Sequence, residues 1–284
     1  MRRVVGPLSQ AAPPRSGVTI RVCGANSCCQ RGADEVKLTI EDLCPPSTVQ
    51  VGSIGCFALC GAGPNVSCTR SGGERPSVHH RVEGLPAVRR LLRSVGLRVH
   101  PALASAAKLR ETATHHLANR RHLLAAHAAT EAVSALDGAG ALACGVVALR
   151  LRHRLLLLHA DAARALCDEA DASGREMAHC DAVEHARKRL ACAAEAIAVQ
   201  SRLERAHAAG PSRQKPPGGS GGGPRFVPAL LHAAQAHVRL GDVGAGRALL
   251  EALRAPPYEP PATRAHRVRV AERRAAEELL LSTL

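Results

Sequence analysis

Apolar and polar residues alternate in short stretches near the start of the chain and follow a helical period over most of the remainder. Residues 18–22, VTIRV, are β-branched and alternating, and predict a strand that ends at Cys23. The segment Ala33–Leu43 predicts a helix, with Leu38, Ile40 and Leu43 as apolar positions and Pro45-Pro46 as its stop. Val49-Gln-Val51 begins a second strand, and Gly52 and Gly55 loosen the chain before Cys56. Residues 66–69 and 78–82 predict two more strands around a Ser-Gly-Gly hairpin turn at 71–73, and 85–95 closes the unit as a helix. The order β-α-β-β-β-α over residues 18–98 predicts an α+β (α/β) domain, one sheet with helices packed on it.

From about Pro101 the pattern is all-α. Ala125, Ala129 and Ala132 share a helical spacing that Leu158, Ala162 and Ala165 repeat 33 residues later. Leu109 and Ala113 precede the first set where the opening helix of a pair belongs. Small residues at such positions let two helices approach closely. A third pair is expected near residues 178–206. A fourth contains Leu230, Leu231 and Ala234, turns at Gly241-Asp242 and ends with Leu250 and Leu253. Residues 209–225, rich in Gly, Pro and Ser, predict a flexible linker, and 262–281 a last helix.

Composition narrows the function. Aromatic residues are 1% of the chain, so the core is built from Ala, Leu and Val, and stacking platforms for single-stranded nucleic acid are missing. The net charge is +14; the first hundred residues hold 13 Lys/Arg against 6 Asp/Glu and the remainder 25 against 18. The excess is therefore spread out, and with no recognised nucleic-acid motif it predicts an acidic partner or anionic surface and no nucleic acid. Arg150, Arg152, His153 and Arg154 interrupt the most apolar stretch, so no membrane span is expected. Residues 1–17 carry Arg2, Arg3 and Arg15 without an acid and read as a disordered or transit-like terminus.

The chemistry lies in the cysteines. Eleven at irregular spacing make a poor disulfide framework and fit a reducing compartment. Cys144, Cys167, Cys180 and Cys192 sit among Ala and Leu as small hydrophobes, and Cys44 and Cys68 read as structural. Two pairs differ: Cys23-Gly-Ala-Asn-Ser-Cys28, and Cys56-Phe-Ala-Leu-Cys60 running into Gly61-Ala-Gly63-Pro-Asn65. Four thiolates on two loops are enough soft sulfur for an iron–sulfur cluster, with zinc as the competing metal. Gly24, Gly55, Gly61 and Gly63 are expected to let backbone N–H groups approach the sulfurs. A redox dithiol needs Cys-x-x-Cys, which the chain lacks, and no nucleophile–base set or metalloprotease motif can be singled out among the 15 histidines.

Residues 18–96, with Val22-Cys23-x4-Cys28 and Gly55-Cys56-x3-Cys60-Gly-x-Gly63-Pro64-Asn65-Val66, resemble the thioredoxin-like [2Fe–2S] ferredoxins. The x4 and x3 spacings are similar to those of the small iron–sulfur subunit of respiratory NADH dehydrogenase. The Cys-Gly-x-Gly-Pro-Asn run looks more like the stand-alone and plant plastid members, and its context argues for iron over zinc. The resemblance implies a thioredoxin-like fold, a [2Fe–2S] cofactor and Cys23, Cys28, Cys56 and Cys60 as ligands, with Cys29 the alternative to Cys28. The helical half, residues 101–284, resembles degenerate tetratricopeptide (TPR-like) repeats, with the consensus aromatic positions filled by small or polar residues such as His116 and Ala129. A ferredoxin domain joined to such repeats is similar to plastid proteins of plants and algae, which implies a plastid stroma address, with the cytoplasm as the alternative. The function expected is one-electron transfer without catalysis, with a redox partner protein and a client protein docked in the repeat groove. The alternatives are an assembly scaffold whose cluster is structural, and a redox sensor.

Overall fold

A computed structural model describes residues 17–71, 75–139, 145–173, 176–208 and 227–254. The chain divides between Val99 and His100 into two units.

The first unit runs β1 (Val18–Cys23), α1 (Asn26–Cys29), α2 (Ala33–Leu43), β2 (Val49–Ile54), a 3₁₀ turn (Cys60–Ala62), β3 (Val66–Arg70), β4 (Ser77–His79) and α3 (Gly84–Ser94). The sheet order is β2-β1-β3-β4, with β1 parallel to β2 and antiparallel to β3, and β3 antiparallel to β4. Val18, Ile20 and Val22 are buried while Arg21 is exposed, as the two-residue period of a strand requires. Val36, Ile40 and Leu43 form the buried stripe of α2, which packs on β1 and β2. Leu85, Val88, Leu91 and Leu92 form that of α3, which packs on α2. Asp34 and Glu35 occupy the first turn of α2, where carboxylates complement the helix dipole. Two boundaries differ from expectation. The last strand is Ser77–His79, because from His80 the backbone turns aside to bond the 62–64 loop: Arg81 N–H donates to Ala62 O at 2.9 Å and Val82 N–H to Pro64 O at 3.0 Å. Cys28 stands on a one-turn helix, α1, rather than on an open loop. Residues 72–74 of the predicted hairpin turn lie outside the described residues.

The second unit comprises α4 (Pro101–Ala118), α5 (His122–Asp137), α6 (Val146–Ser173), α7 (Glu176–Ala208), α8 (Val227–Arg239) and α9 (Val243–Arg254), each packed on the next. The neighbours are antiparallel. Ala113 meets Ala128 and Ala129, Ala125 meets Ala162, and Leu231 and Val238 share a cluster with Leu250. Alanine seams replace aromatic ones, and at Gly246 a Cβ would fall 2.6 Å from Val238 Cγ2, so α9 crosses α8 closely only through glycine. The turn expected at Gly241-Asp242 joins α8 to α9: Gly241 has φ +83° and Asp242 Oδ1 accepts from Ala245 N–H at 3.0 Å. The third predicted pair is instead one helix of 33 residues, α7, which contains neither glycine nor proline to turn it. The two alanine sets spaced by 33 residues lie on adjacent antiparallel helices, α5 and α6, where successive tetratricopeptide repeats would hold them on equivalent, parallel helices. The predicted linker at 209–225 and last helix at 262–281 lie outside the described residues. Among the described residues no helix is long and apolar enough to cross a membrane.

Candidate metal centre

The parallel register of β1 and β2 sets Cys23 opposite Ile54. Both strands therefore release their chains at the same end of the sheet. Gly24 N–H donates to Ile54 O at 2.8 Å and Cys23 N–H to Asn65 O at 2.9 Å, which ties the two cysteine segments together at that end. Gly24 thus spends its N–H on a carbonyl and not on sulfur.

Beyond β1 the chain winds into α1, with Cys28 N–H and Cys29 N–H both donating to Ala25 O at 2.9 Å. Cys23 and Cys28 are buried and Cys29 is half-buried. The Cys28 sulfur lies against the backbone of Gly63, where a Cβ would fall 2.5 Å from it. Gly63 is therefore a cradle for that thiol, and only a hydrogen fits there. Cys29 lies near Asp34: burial, followed by the Asp34 carboxylate and Cys23, pushes its thiol up from the usual range. Of the two neighbouring thiols, Cys28 is the one against the second cysteine segment.

Cys56 is exposed, two residues beyond β2. Ala58, at φ +61°, points its N–H back at the Cys56 sulfur, 3.3 Å away. This left-handed alanine costs about 1–3 kcal/mol, and the N–H···S bond stabilises negative charge on that sulfur. Cys60 opens the 3₁₀ turn that packs on α1, and its side chain lies outside the described residues. Gly55 and Gly61 have open space where a Cβ would stand, and the Gly63–Pro64 peptide is cis.

The second segment is braced from below. Asn65, 1% exposed, donates from Nδ2 to Leu59 O at 3.0 Å, and its Oδ1 meets His80 Nδ1 at 2.8 Å. Arg31, just past α1, donates to Gly61 O at 3.0 Å. Sequence reasoning missed Asn65, His80, Arg31 and the Ala58 N–H. The signals were a polar Asn65 between Pro64 and an apolar strand, and the paired His79-His80 at the end of β4.

Four cysteines stand on two backbone segments at one sheet end, with the Gly63 cradle at the Cys28 sulfur and the Ala58 N–H at the Cys56 sulfur, and thiolates are the soft ligands that thiophilic metals prefer. Among the described residues no group of three or more His, Cys, Asp or Glu side chains is gathered closely enough to hold a metal ion. Cys44 and Cys68 are both 3% exposed, and burial pushes the Cys68 thiol up to about 11, as for a packing residue. Cys167 and Cys192 in the helical unit are likewise buried with raised thiols, whereas Cys144 and Cys180 lie outside the described side chains. In the helical unit His122 Nδ1 meets Glu169 at 2.8 Å, and His127 faces Glu131 one turn on. No family model matches the chain, and no curated protein matches it.

Proposed function

We propose that the first unit is a thioredoxin-like electron-transfer domain that holds one [2Fe–2S] cluster on Cys23, Cys28, Cys56 and Cys60. The observation that carries this reading is the parallel β1–β2 pairing, which delivers both cysteine segments to one end of the sheet with the Cys28 sulfur against Gly63. The order β2-β1-β3-β4 with two antiparallel pairings supports the thioredoxin-like part. A bound cluster supplies one-electron chemistry at low potential. The chain's own residues position its ligands: Gly63 leaves room for the Cys28 sulfur, Ala58 N–H bonds the Cys56 sulfur, and Asn65 with His80 holds the segment between Cys56 and Cys60 in register. No residue is asked to move a proton. The helical unit is the docking module for a partner protein, and the plastid address belongs to the same proposal on the resemblance alone.

The test is a serine series. Cys23→Ser, Cys28→Ser, Cys56→Ser and Cys60→Ser should each lose iron and visible absorption, while Cys29→Ser and Cys68→Ser keep both. Retention of iron by all four ligand variants would overturn the assignment. The second reading is an assembly scaffold with a structural cluster, in a chain whose long helices are tied by polar contacts: Arg152 Nε donates to Glu195 at 2.9 Å between α6 and α7, and Arg239 Nη2 meets Asp168 at 2.5 Å between α8 and α6. A cluster that binds but cannot be reduced selects that reading.

A further inference from the structure

In the helical unit Arg152, Arg164 and Arg239 all pair with carboxylates. In the first unit the segment 84–99 carries Arg89, Arg90, Arg93 and Arg98 and not one acid. Arg89, Arg93 and Arg98 are exposed, and none of their guanidiniums is hydrogen-bonded or ion-paired with another described residue. These three, with Leu97 and Val99, line one cleft of about 400 Å³. Arg70 Nη2 donates to Ser94 O at 3.0 Å, at the end of α3. Basic side chains at a helix C-terminus complement its dipole, which accounts for Arg70 and Arg93. It does not account for Arg89, in the middle of α3, or for Arg98, beyond its end.

Three guanidiniums that line one cleft with no acid in the same segment make it a positively charged recess suited to an anion. Each offers a planar fork that matches phosphate or carboxylate oxygens in pairs. A cleft of this size falls within the range of small-ligand sites and is too small for a folded partner. Leu97 and Val99 supply an apolar wall beside the charged one. We propose that this cleft binds a small phosphate-bearing anion through Arg89, Arg93 and Arg98. The site is independent of any metal on the cysteines.

The experiment is calorimetric titration of the full chain with inorganic pyrophosphate, and separately with adenosine diphosphate. Saturable binding of one pyrophosphate per chain is expected, weakening as salt is raised. Arg89→Gln/Arg93→Gln should weaken it at least tenfold. Arg202→Gln/Arg205→Gln, which removes the same charge from exposed positions on α7, should leave it within twofold. Arg89→Lys/Arg93→Lys, which keeps charge and removes the forks, should weaken it several-fold. Circular dichroism establishes that each variant is folded. Tighter binding of the diphosphate nucleoside identifies a nucleotide as the source of the phosphate, and tighter binding of pyrophosphate a free phosphate species; both support the site. Absence of saturable binding, equal weakening in the two glutamine variants, or binding of an oligoglutamate peptide without pyrophosphate overturns it.

Discussion

Replacing Gly63 by alanine puts a methyl carbon 2.5 Å from the Cys28 sulfur and 3.6 Å from the Cα and Cβ of the same residue. Gly63 has φ −77° and ψ 168°, which alanine adopts without strain, so the cost is steric alone. The sulfur cannot swing away cheaply, because Cys28 is 0% exposed and its side chain has one rotatable bond. Relief requires α1 to move away from the 60–63 turn. Overpacking of this kind costs about 1–3 kcal/mol. Gly61→Ala is the control: its Cβ meets nothing within 4 Å, so the change should stay within about 0.5 kcal/mol. The assay is urea unfolding of the metal-free chain with a pulse of iodoacetamide at each concentration, read by mass spectrometry at Cys23 and Cys28, both buried. With urea m-values of about 1–3 kcal/mol per M, Gly63→Ala should lower the midpoint of labelling by roughly 1 M. The same variant should also load less iron. Equal midpoints for Gly63→Ala and Gly61→Ala would refute the cradle.

Other outcomes follow from the same geometry. Asn65→Ala removes the bonds to Leu59 O and His80 Nδ1, orphaning a carbonyl for about 1–3 kcal/mol, and should speed amide exchange across residues 57–62; unchanged exchange there would contradict the brace. Cys68 and Cys192 are pushed by burial up to about 11 in the folded chain, from 9.0. The native protein should therefore resist alkylation at both positions at pH 8, and the stability they contribute, full below pH 9, should be lost as pH rises toward 11; rapid native-state labelling of either would contradict their packing. In the helical unit His232 is pushed down to about 3, by burial first and then by the charges of Arg189 and Arg164; Arg189 Nε donates to its Nδ1 at 3.1 Å. A group held below its unfolded value adds stability above pH 6.5 that is lost as pH falls toward 3, so a His232→Gln variant should flatten the acid limb of the stability curve. An acid limb identical to the parent's would contradict that role.

How far the sequence was legible depends on local signal. Strand β1 and helix α2 are where alternation, helical spacing and Pro45-Pro46 put them. Helix α1 was not legible, because one turn of Asn-Ser-Cys-Cys has no periodicity to detect. The third pair near residues 178–206 is one helix, α7, for a related reason. Small-residue spacing suggested paired repeats, yet neither α6 nor α7 holds a glycine or proline, and without a breaker an Ala/Leu helix continues. At the candidate centre the cysteine spacing is visible in the sequence, because residue identity and loop length are local properties. The Ala58 N–H on Cys56 and the Asn65–His80 brace depend on a left-handed alanine and on where β4 ends, and both are settled by tertiary context.

The central claim is an iron–sulfur centre that carries an electron. Anaerobic expression followed by iron and sulfide analysis, with electron paramagnetic resonance before and after dithionite, tests it most directly. The account predicts two irons and two sulfides per chain and a rhombic signal that appears only on reduction. Zinc in place of iron, or a cluster that dithionite leaves silent, would contradict electron transfer and leave the helical unit as the functional part of the chain.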